Sequence, residues 1–313
     1  MCLSEAKGMD IRMKNMIFLF NPRSGREQIR SQLMGILDYF CSQGYFPSVY
    51  VTQNSQDAER IAREYGSSAD LFLCSGGDGT LNNVVSGLMA LEKRPVLGYL
   101  PSGSTNDYAR SLEIPGDPRE AAEVALTAGE RQVDVGRFGT DRYFVYIAAF
   151  GAFTEVSYKT PQDKKNVLGH QAYILESVKS LASLKSHHMK IQWEEGTIEG
   201  EFIFGMITNT TSVGGFKGLT PRDVDFDDGM FEALFIRTPK TPSDLSNIVS
   251  YMFLKDEENA YVFRFHTSRV VITAKEEVSW VLDGEYGGTL KETVVENIHG
   301  AIALRCGEKI KKC

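Results

Sequence analysis

Short apolar runs and stretches with helical character alternate through the first hundred residues, and this alternation restricts the fold more than any other feature of the sequence. The apolar runs predict strands at Met16–Phe20, Tyr45–Val51, Leu71–Cys74 and Val96–Leu100, and the stretches between them predict helices at Arg26–Ser42, Ser55–Tyr65 and Leu81–Leu91. Strands separated by helices are typical of a parallel sheet with helices on its faces. We therefore expect an α/β domain that binds its ligand beyond the carboxyl ends of the strands.

Gly76-Gly77-Asp78-Gly79-Thr80 lies between the third predicted strand and the helix that follows it. Glycine lets the backbone approach an anion closely, and the free N–H groups of a helix N-terminus point at that anion. This order predicts a phosphate cradle. The Asp78 carboxylate would repel phosphates unless a cation lay between them, which favours a nucleoside triphosphate with a bridging Mg²⁺. A tight turn with an N-capping Asp is the alternative, but it needs fewer of these residues.

Two further polar loops follow strands of the same predicted sheet. Asn21-Pro22-Arg23-Ser24-Gly25 offers a cation, a hydroxyl group and a permissive glycine to an anion. Pro101-Ser102-Gly103-Ser104-Thr105-Asn106-Asp107 offers hydroxyls and an amide. Common turn pairs explain the first loop equally simply, and an N-capping run is an equally good explanation of the second. Because parallel strands end at one edge of their sheet, we expect all three loops to open there.

The pattern changes near Asp134, after which short runs rich in β-branched and aromatic residues dominate. These runs predict strands at Tyr143–Phe150, Met189–Trp193, Glu201–Thr208, Met230–Ile236, Arg269–Thr273, Val278–Leu282 and Ile298–Leu304. Two helices are predicted among them, near Gly169–Ser183 and Thr241–Met252. The second part of the chain is therefore expected to be an antiparallel β domain.

A dense run of carboxylates, Asp223-Val224-Asp225-Phe226-Asp227-Asp228-Gly229, precedes the predicted strand at Met230. It does not fit an EF-hand. That loop requires Gly at position six and Glu at position twelve, where this chain has Asp228 and Leu234. A solvated acidic turn is the simplest interpretation. Mutual repulsion among the four carboxylates keeps a bound divalent ion as an alternative.

Asp283-Gly284-Glu285 follows another predicted strand. Asp-Gly is the most common signature of a β-hairpin turn, and the residues alone favour that interpretation. The functional alternative is a general base on a rigid element, because a phosphoryl acceptor hydroxyl needs a carboxylate to take its proton.

Composition excludes several classes of protein. The net charge of −7 disfavours a nucleic-acid-binding protein, which would be expected to carry a basic face. Five cysteines without a C-x-x-C pair suggest neither a disulfide framework nor a zinc site, and a reducing cytoplasm fits them. The polar N-terminus lacks the apolar segment of a signal peptide. The longest apolar stretch, Tyr143–Phe153, is far short of the roughly 20 residues of a membrane span, so contact with a membrane would be peripheral.

A local cationic zone between Lys159 and Lys190 stands out in this acidic protein. It contains six lysines and three histidines against only Asp163 and Glu176. Such a zone is usually a solvated face, and the alternative is a surface that meets phosphates or an anionic membrane.

Taken together, these motifs resemble the soluble bacterial lipid kinases of the diacylglycerol kinase catalytic-domain family. The resemblance runs from about Met16 to the last predicted strand. It rests on Asn21-Pro22-x-Ser24-Gly25, Gly76-Gly77-Asp78-Gly79-Thr80-Leu81-Asn82, Pro101-x-Gly103-Ser104-x-Asn106-Asp107, Asp228-Gly229-Met230 and Asp283-Gly284-Glu285. Gly-Gly-Asp-Gly-Thr alone is shared with NAD kinases, whereas the ordered set is much more specific.

The resemblance implies an ATP- and Mg²⁺-dependent kinase that phosphorylates a hydroxyl of a diacylglycerol-like lipid. Glu285 would be the general base, Asp283 its electrostatic partner or a metal contact, and Asp78 would meet the nucleotide through Mg²⁺. The implied nucleotide-binding residues are Asn21, Ser24, Gly25, Thr52, Gly76, Gly77, Asp78, Gly79, Thr80, Leu81, Asn82, Ser104, Asn106 and Asp107. A second, structural Mg²⁺ would bind Asp225, Asp228 and the carbonyl of Met230.

The family form also implies two domains. An α/β ATP-binding domain would comprise residues 14–134 and a returning C-terminal strand at 296–313, and residues 135–295 would form an antiparallel β-sandwich on the lipid side. The expected location is the cytoplasm, with transient attachment to the inner face of the membrane, and a homodimer is compatible with the sequence. Two alternatives stay open, an NAD kinase and a nucleotide-binding regulatory protein without turnover.

Overall fold

The computed structural model describes residues 13–24, 28–151, 185–213, 224–254 and 259–307. Its helices in these ranges are α1 (Gln28–Ser42), α2 (Asp57–Tyr65), α3 (Asp78–Met89), α4 (Asp107–Ser111), α5 (Pro118–Thr127) and α6 (Pro242–Leu254). The strands are β1 (Lys14–Phe20), β2 (Tyr45–Val51), β3 (Leu71–Gly76), β4 (Val96–Pro101), β5 (Glu130–Phe138), β6 (Arg142–Phe144), β7 (Ile147–Gly151), β8 (His187–Trp193), β9 (Gly196–Thr208), β10 (Phe231–Arg237), β11 (Val262–Thr267), β12 (Arg269–Leu282) and β13 (Glu285–Arg305). The helix predicted at Gly169–Ser183 and most of the basic zone at 159–190 lie outside the described residues.

The first four strands lie side by side in the order β2-β1-β3-β4 and run parallel to one another. Strand β3 is buried at every position, which explains why it reads as a continuous apolar run in the sequence. Helices connect these strands, as the alternation predicts. This part of the chain is therefore a mixed α/β unit whose strand ends face a common edge.

Helix α3 begins earlier than its apolar periodicity indicates. The periodicity predicts a start at Leu81, whereas the helix starts at Asp78, directly after an extended Gly77. An acidic residue in the first turn is favourable there because it complements the positive end of the helix dipole. Most of the glycine-rich motif is therefore the first turn of a helix rather than a loop before it.

Strand β13 joins the two parts of the chain. Its residues 285–296 pair antiparallel with β12, and its residues 295–305 pair antiparallel with β5. Near its end, Leu304 pairs parallel with Leu97 of β4, so the strand returns to the first sheet. The sequence predicts only the last third of β13, because the first two thirds are largely exposed or half-buried and rich in charged residues.

Antiparallel strands make up the second part of the chain. Strands β7 and β8 both lie between β9 and β12, where they pair with different halves of those two long strands. Strand β12 unites two predicted strands across a register shift between Thr273 and Val278. The run predicted at Tyr143–Phe150 is instead divided into β6 and β7 by a bend. The sequence pattern predicts neither β5 nor β11.

The thirteen strands of the described residues belong to one hydrogen-bonded network with two apolar clusters. The larger cluster includes the buried faces of β1, β3 and α3. The smaller cluster is aromatic, and Phe150 and Trp280 meet in it with ring centroids 5.0 Å apart. Among the described helices, none has both the length and the apolar character of a membrane span.

Candidate functional site

The three polar loops meet at the carboxyl edge of the parallel strands. The Asn21 amide donates to Thr80 Oγ1 at 3.0 Å, which ties the first loop to α3. The hydroxyls of Ser24 and Ser102 lie 2.7 Å apart and tie the first loop to the third. The backbone N–H of Ser102 donates to the Gly76 carbonyl at 2.8 Å. Loops that are far apart in the sequence therefore form one continuous surface.

Two glycines bring the second and third loops into backbone contact. A Cβ on Gly103 would lie 2.6 Å from Gly77 Cα, so the backbones of the two loops pass each other with no room for a side chain. Asn106, at φ 51°, fixes this approach from its left-handed backbone conformation. Its side chain accepts from the Gly103 N–H at 2.8 Å and donates to the Gly103 carbonyl at 2.9 Å. The Asn106 side chain is thereby engaged within its own loop.

Asp78 links the phosphate-cradle motif to α4. Its carboxylate accepts from the backbone N–H groups of Asp107 at 3.1 Å and Tyr108 at 3.4 Å. Burial, together with the nearby charge of Asp107, raises the pKa of Asp78 to about 6. Two carboxylates packed together at a helix N-terminus form a setting in which a cation would be stabilising.

Helix α4 is tied in turn to the segment that follows β9. Asp107 is almost completely buried and accepts from the Ser212 hydroxyl at 2.9 Å. The hydroxyls of Ser111 and Thr210 lie 2.6 Å apart. These side chains connect the third loop to the antiparallel part of the chain, a connection that no local sequence pattern predicts.

Asp283 is buried at the tip of the β12–β13 hairpin and is saturated with donors. It accepts from the backbone N–H groups of Val145, Tyr146 and Ile147 at 2.6, 3.0 and 2.9 Å, and from the Asn82 amide at 2.7 Å. Burial raises the pKa of Asp283 to about 7, although these four donors act in the opposite direction. Its contacts suit an electrostatic and positioning role better than a metal contact.

The hairpin interpretation and the functional interpretation of Asp283-Gly284-Glu285 are compatible. Leu282 pairs with Glu285, and both intervening residues have positive φ, at 48° and 87°, as a two-residue hairpin turn requires. The turn carries the exposed side chain of Glu285 to the first turn of α3. A Cβ on Gly79 would lie 3.3 Å from Glu285 Oε1, so the carboxylate rests directly against the glycine-rich motif.

Tyr146 is a residue of this site that the sequence did not reveal. It lies in the bend between β6 and β7, and its hydroxyl would be 3.9 Å from a Cβ on Gly284. Burial raises its pKa well above the usual range, and the charges of Asp78 and Asp283 add to the shift. In the sequence Tyr146 lies within an apolar run, so no neighbouring polar motif indicates that it belongs to the site.

The other predicted nucleotide-binding residues differ in which of their atoms are available to contact a nucleotide. The side chain of Leu81 is fully buried in the core, so only its backbone could contribute. The Asn82 amide is engaged by Asp283 and by the Tyr143 carbonyl at 2.8 Å. Thr52 lies beside the first loop, where its N–H donates to the Phe20 carbonyl at 3.1 Å, and Ser104 is exposed. Gly25 lies outside the described residues.

The acidic run is held by protein partners. The Arg131 guanidinium bridges Asp225 at 2.9 Å and Asp227 at 3.0 Å. The Asp228 carboxylate accepts from the Met230 N–H at 2.9 Å, and the Met230 carbonyl accepts from Asn297 at 3.1 Å. In the part of the chain that the structure describes, no group of three or more His, Cys, Asp or Glu side chains is placed to hold a metal ion.

Comparison with known proteins places this site in a family. Residues 15–138 match the family model described as the diacylglycerol kinase catalytic domain. A diacylglycerol kinase of Bacillus subtilis (strain 168) is 36% identical over 282 residues, which cover 89% of this chain and 92% of the relative. A diacylglycerol kinase of Staphylococcus aureus (strain bovine RF122 / ET3-1) is 33% identical over 277 residues, covering 87% of this chain and 86% of the relative.

Solved structures agree with this placement at the level of the fold. The crystal structure of a diacylglycerol kinase from Bacillus anthracis str. Sterne has a TM-score of 0.73 at 21% identity, over 94% of this chain and 97% of that one. Another structure from the same strain has a TM-score of 0.78 at 24% identity, over 95% and 98% of the two chains. With sequence relatives matching nearly its whole length, the chain belongs to the diacylglycerol kinase catalytic-domain family and is a phosphotransferase with an alcohol acceptor.

Proposed function

We propose that this lipid kinase uses ATP and Mg²⁺ to phosphorylate a hydroxyl of a diacylglycerol-like lipid at the membrane surface. The observation that carries the proposal is the position of Glu285 against Gly79, in the first turn of α3. A carboxylate held beside a phosphate-binding helix end has a chemical use where an acceptor hydroxyl must lose its proton. The names of the sequence relatives support a diacylglycerol as the acceptor.

The three loops would bind the triphosphate of ATP. The first backbone N–H groups of α3, from Asp78 to Thr80, have no acceptor inside the helix and suit an anion. The close approach of Gly77 and Gly103 leaves backbone rather than side chains around such a group. Contacts from Asn21, Ser24 and Thr52 would complete the nucleotide side, since the first loop lies against α3.

The residues around Asp78 suit a nucleotide-bound Mg²⁺. Asp78 and Asp107 are packed together, and a cation beside them would offset the repulsion that contributes to the raised pKa of Asp78. When bound, Mg²⁺ would neutralise negative charge on the phosphates during transfer. Asp78 would orient it, and the N–H groups of Asp107 and Tyr108 would hold the Asp78 carboxylate in place.

A second, structural Mg²⁺ at Asp225, Asp228 and Met230 fits the observed arrangement poorly, because Arg131 already neutralises Asp225. The ion would have to displace Arg131 or bind beside it. Thermal unfolding of the nucleotide-free protein with and without Mg²⁺ tests this site. A rise in Tm that Asp228→Asn removes would support the second ion, and equal Tm values in both conditions would overturn it.

On the acceptor side, Glu285 would take the proton from the lipid hydroxyl. Asp283 would fix the hairpin that carries Glu285, through its bonds to the backbone of residues 145–147. The Tyr146 hydroxyl faces the same hairpin and is available to orient the acceptor. These roles require only positioning and proton transfer, which are the usual contributions of a protein to phosphoryl transfer.

The wider organisation is also part of the proposal. Residues 14–134 and 296–313 would form the ATP-binding domain, and residues 135–295 would curl into an antiparallel sandwich that supplies the lipid side. The enzyme would work in the cytoplasm, attach transiently to the inner face of the membrane and need no nucleic acid. A homodimer is a further expectation, which light scattering of the purified protein would measure.

The decisive experiment offers labelled ATP, Mg²⁺ and a total lipid extract to the protein and identifies the labelled lipid by mass spectrometry. Diacylglycerol and NAD are offered in parallel. We expect label in a phosphorylated diacylglycerol-like lipid and none in NADP. Glu285→Gln serves as the matched control, since it keeps the shape of the side chain and removes the proposed base.

Two outcomes would overturn the proposal. Label transferred to NAD in preference to any lipid would identify an NAD kinase. ATP binding without a labelled product from any lipid in the extract would favour a regulatory protein without turnover.

A further inference from the structure

Tyr146 has a buried side chain whose hydroxyl lacks a protein partner. The residue is only 6% exposed. Within the part of the chain that the structure describes, no group is hydrogen-bonded to this hydroxyl, yet its oxygen keeps contact with solvent. Buried polar groups in folded proteins nearly always have a partner. The hydroxyl is therefore both reachable by a ligand and in need of the hydrogen bond that a ligand could supply.

The backbone of Tyr146 is fixed on two sides. Its N–H donates to Asp283 Oδ1 at 3.0 Å, and its carbonyl accepts from the Asn209 N–H at 3.0 Å. Asp283 belongs to the hairpin that carries the proposed base. The segment that begins at Asn209 reaches Asp107 through the Ser212 hydroxyl, which donates at 2.9 Å. Tyr146 therefore lies between the base hairpin and the carboxylates on the nucleotide side.

The surroundings of the Tyr146 hydroxyl agree with this position. It would be 3.9 Å from a Cβ on Gly284, the residue before Glu285. Of the charges that act on it, that of Asp78 is the strongest. Burial raises the pKa of Tyr146 well above its usual range, and these charges add to the shift. The hydroxyl consequently keeps its proton at neutral pH and can act as a hydrogen-bond donor.

We propose that the Tyr146 hydroxyl donates a hydrogen bond to the phosphoryl group during its transfer from the nucleotide to the acceptor. This role rests on the proposed kinase reaction and goes beyond orienting the acceptor. In the reaction, the acceptor oxygen forms a bond to the γ-phosphorus, and Glu285 takes the acceptor proton. The bond from that phosphorus to its bridging oxygen breaks, and its electron pair stays on ADP. Tyr146 keeps its own proton and stabilises negative charge on the phosphoryl oxygens.

The order of the reacting groups favours the phosphoryl oxygens over the lipid as the partner of Tyr146. In an in-line transfer the attacking and leaving oxygens lie on opposite sides of the phosphorus. The ester carbonyls of a diacylglycerol-like lipid then lie beyond the attacking oxygen, away from the nucleotide. The strong influence of Asp78 on the hydroxyl places it toward the nucleotide instead.

Tyr146→Phe tests the role of the hydroxyl, since it removes one oxygen and keeps the ring. We expect kcat to fall by roughly 100-fold, while Tm and the KM for ATP stay as in the wild type. Tyr99→Phe is the contrasting variant, because the Tyr99 hydroxyl donates to the Gly76 carbonyl at 3.2 Å, and its loss should lower Tm. Tyr65→Phe, an exposed change on α2, should alter neither kcat nor Tm.

A binding measurement without lipid separates this inference from the proposed function. ADP, Mg²⁺ and aluminium fluoride together imitate a phosphoryl group in transfer, and calorimetry measures their binding. Tyr146→Phe should bind ADP like the wild type and the aluminium fluoride complex at least tenfold more weakly. Equal affinity of both proteins for that complex would overturn the role of Tyr146. Absence of labelled lipid with the wild type would instead overturn the proposed function.

Three other results would also overturn the role of Tyr146. The first is a wild-type kcat in Tyr146→Phe. The second is a rise in the KM for diacylglycerol with unchanged kcat, which would restrict the hydroxyl to orienting the acceptor. The third is a lower Tm, which would show that the hydroxyl is bonded within the protein.

Discussion

A Cβ placed on Gly79 would lie 3.3 Å from Oε1 of Glu285, although the two residues are separated by most of the chain. The proposed base therefore rests on the first turn of α3, and glycine at this position leaves its carboxylate undisturbed. Since 3.3 Å is tighter than ordinary van der Waals contact, an added methyl group would move the carboxylate by a few tenths of an ångström.

Gly79→Ala should therefore lower kcat while leaving the fold intact. A displacement of about 1 Å in a catalytic group can cost roughly 100-fold, so a smaller shift should cost between a few-fold and about 100-fold. Steady-state kinetics with diacylglycerol as the acceptor measures kcat, and titration with ATP measures whether nucleotide binding is unchanged. Gly116→Ala is the matched control, because its Cβ would meet nothing within 4 Å. Equal kcat values in the two variants would contradict the proposed contact.

Glu285→Gln should remove most of the turnover and leave ATP binding nearly intact. General base catalysis contributes typically about 10²–10⁴-fold, and glutamine keeps the size of the side chain without its basicity. The ratio of kcat between variant and wild type measures the effect, and calorimetric titration with ATP supplies the control. A variant with wild-type kcat would exclude Glu285 as the base.

Gly103→Ala should weaken nucleotide binding specifically. Its Cβ would lie 2.6 Å from Gly77 Cα and 2.7 Å from Asn106 Oδ1, so the second and third loops would have to separate. We expect the KM for ATP to rise by at least tenfold, with a smaller change in the KM for the lipid. A parallel rise in both KM values would instead indicate a general loss of structure, which a thermal unfolding curve would reveal.

The sequence predicts the strands and loops of the ATP side well because each is encoded locally. Strand β3 is an uninterrupted apolar run, and the loop residues follow strand ends, so pattern and topology together bring Asn21, Gly76 and Ser102 to one edge. What the sequence could not predict depends on contacts between distant segments. The bend at Tyr146 exists because Asp283 binds three successive backbone N–H groups there.

The predicted metal ligands show the opposite problem. The carboxylate run suggests a metal site, whereas no group of three or more His, Cys, Asp or Glu side chains in the described residues is placed to hold a metal ion. Four carboxylates between Asp223 and Asp228 invite a divalent ion, yet Arg131, nearly a hundred residues away, is paired with Asp225 and Asp227. No local sequence pattern predicts an ion pair with a residue so distant in the chain. Roles taken from family resemblance, such as that of Met230, stay predictions for the same reason.

Asp283→Asn should destabilise the protein rather than only slow the reaction. The substitution places an amide N–H₂ where a carboxylate oxygen accepts two N–H groups, which leaves buried donors unpaired at about 1–3 kcal/mol. Backbone strain does not confuse the result, because asparagine tolerates the left-handed φ of 48° as aspartate does. Urea unfolding measures the loss, with the exposed Asp38→Asn as control. Unchanged stability with lost turnover would point to a direct catalytic contact instead.

Glu232 should make the stability of the wild type depend on pH. Burial raises its pKa in the folded protein from the ordinary 4.5 to about 8. Below pH 4.5 both states carry the proton, so the group has no effect there. Between pH 4.5 and 8 the unfolded chain loses the proton and the folded chain keeps it, so stability falls as pH rises, and above pH 8 the difference is constant.

Glu232→Gln should remove this dependence, because the amide resembles the protonated acid at every pH. The free energy of unfolding of the variant, from urea titrations at pH 5, 6.5 and 8, should match the wild type at pH 5. By pH 8 it should exceed the wild type by an amount on the order of 2–4 kcal/mol, since each pKa unit corresponds to about 1.4 kcal/mol. Glu292→Gln should show no such divergence, as it lies exposed on β13. A constant difference between Glu232→Gln and the wild type over this range would mean that Glu232 titrates normally in the folded protein.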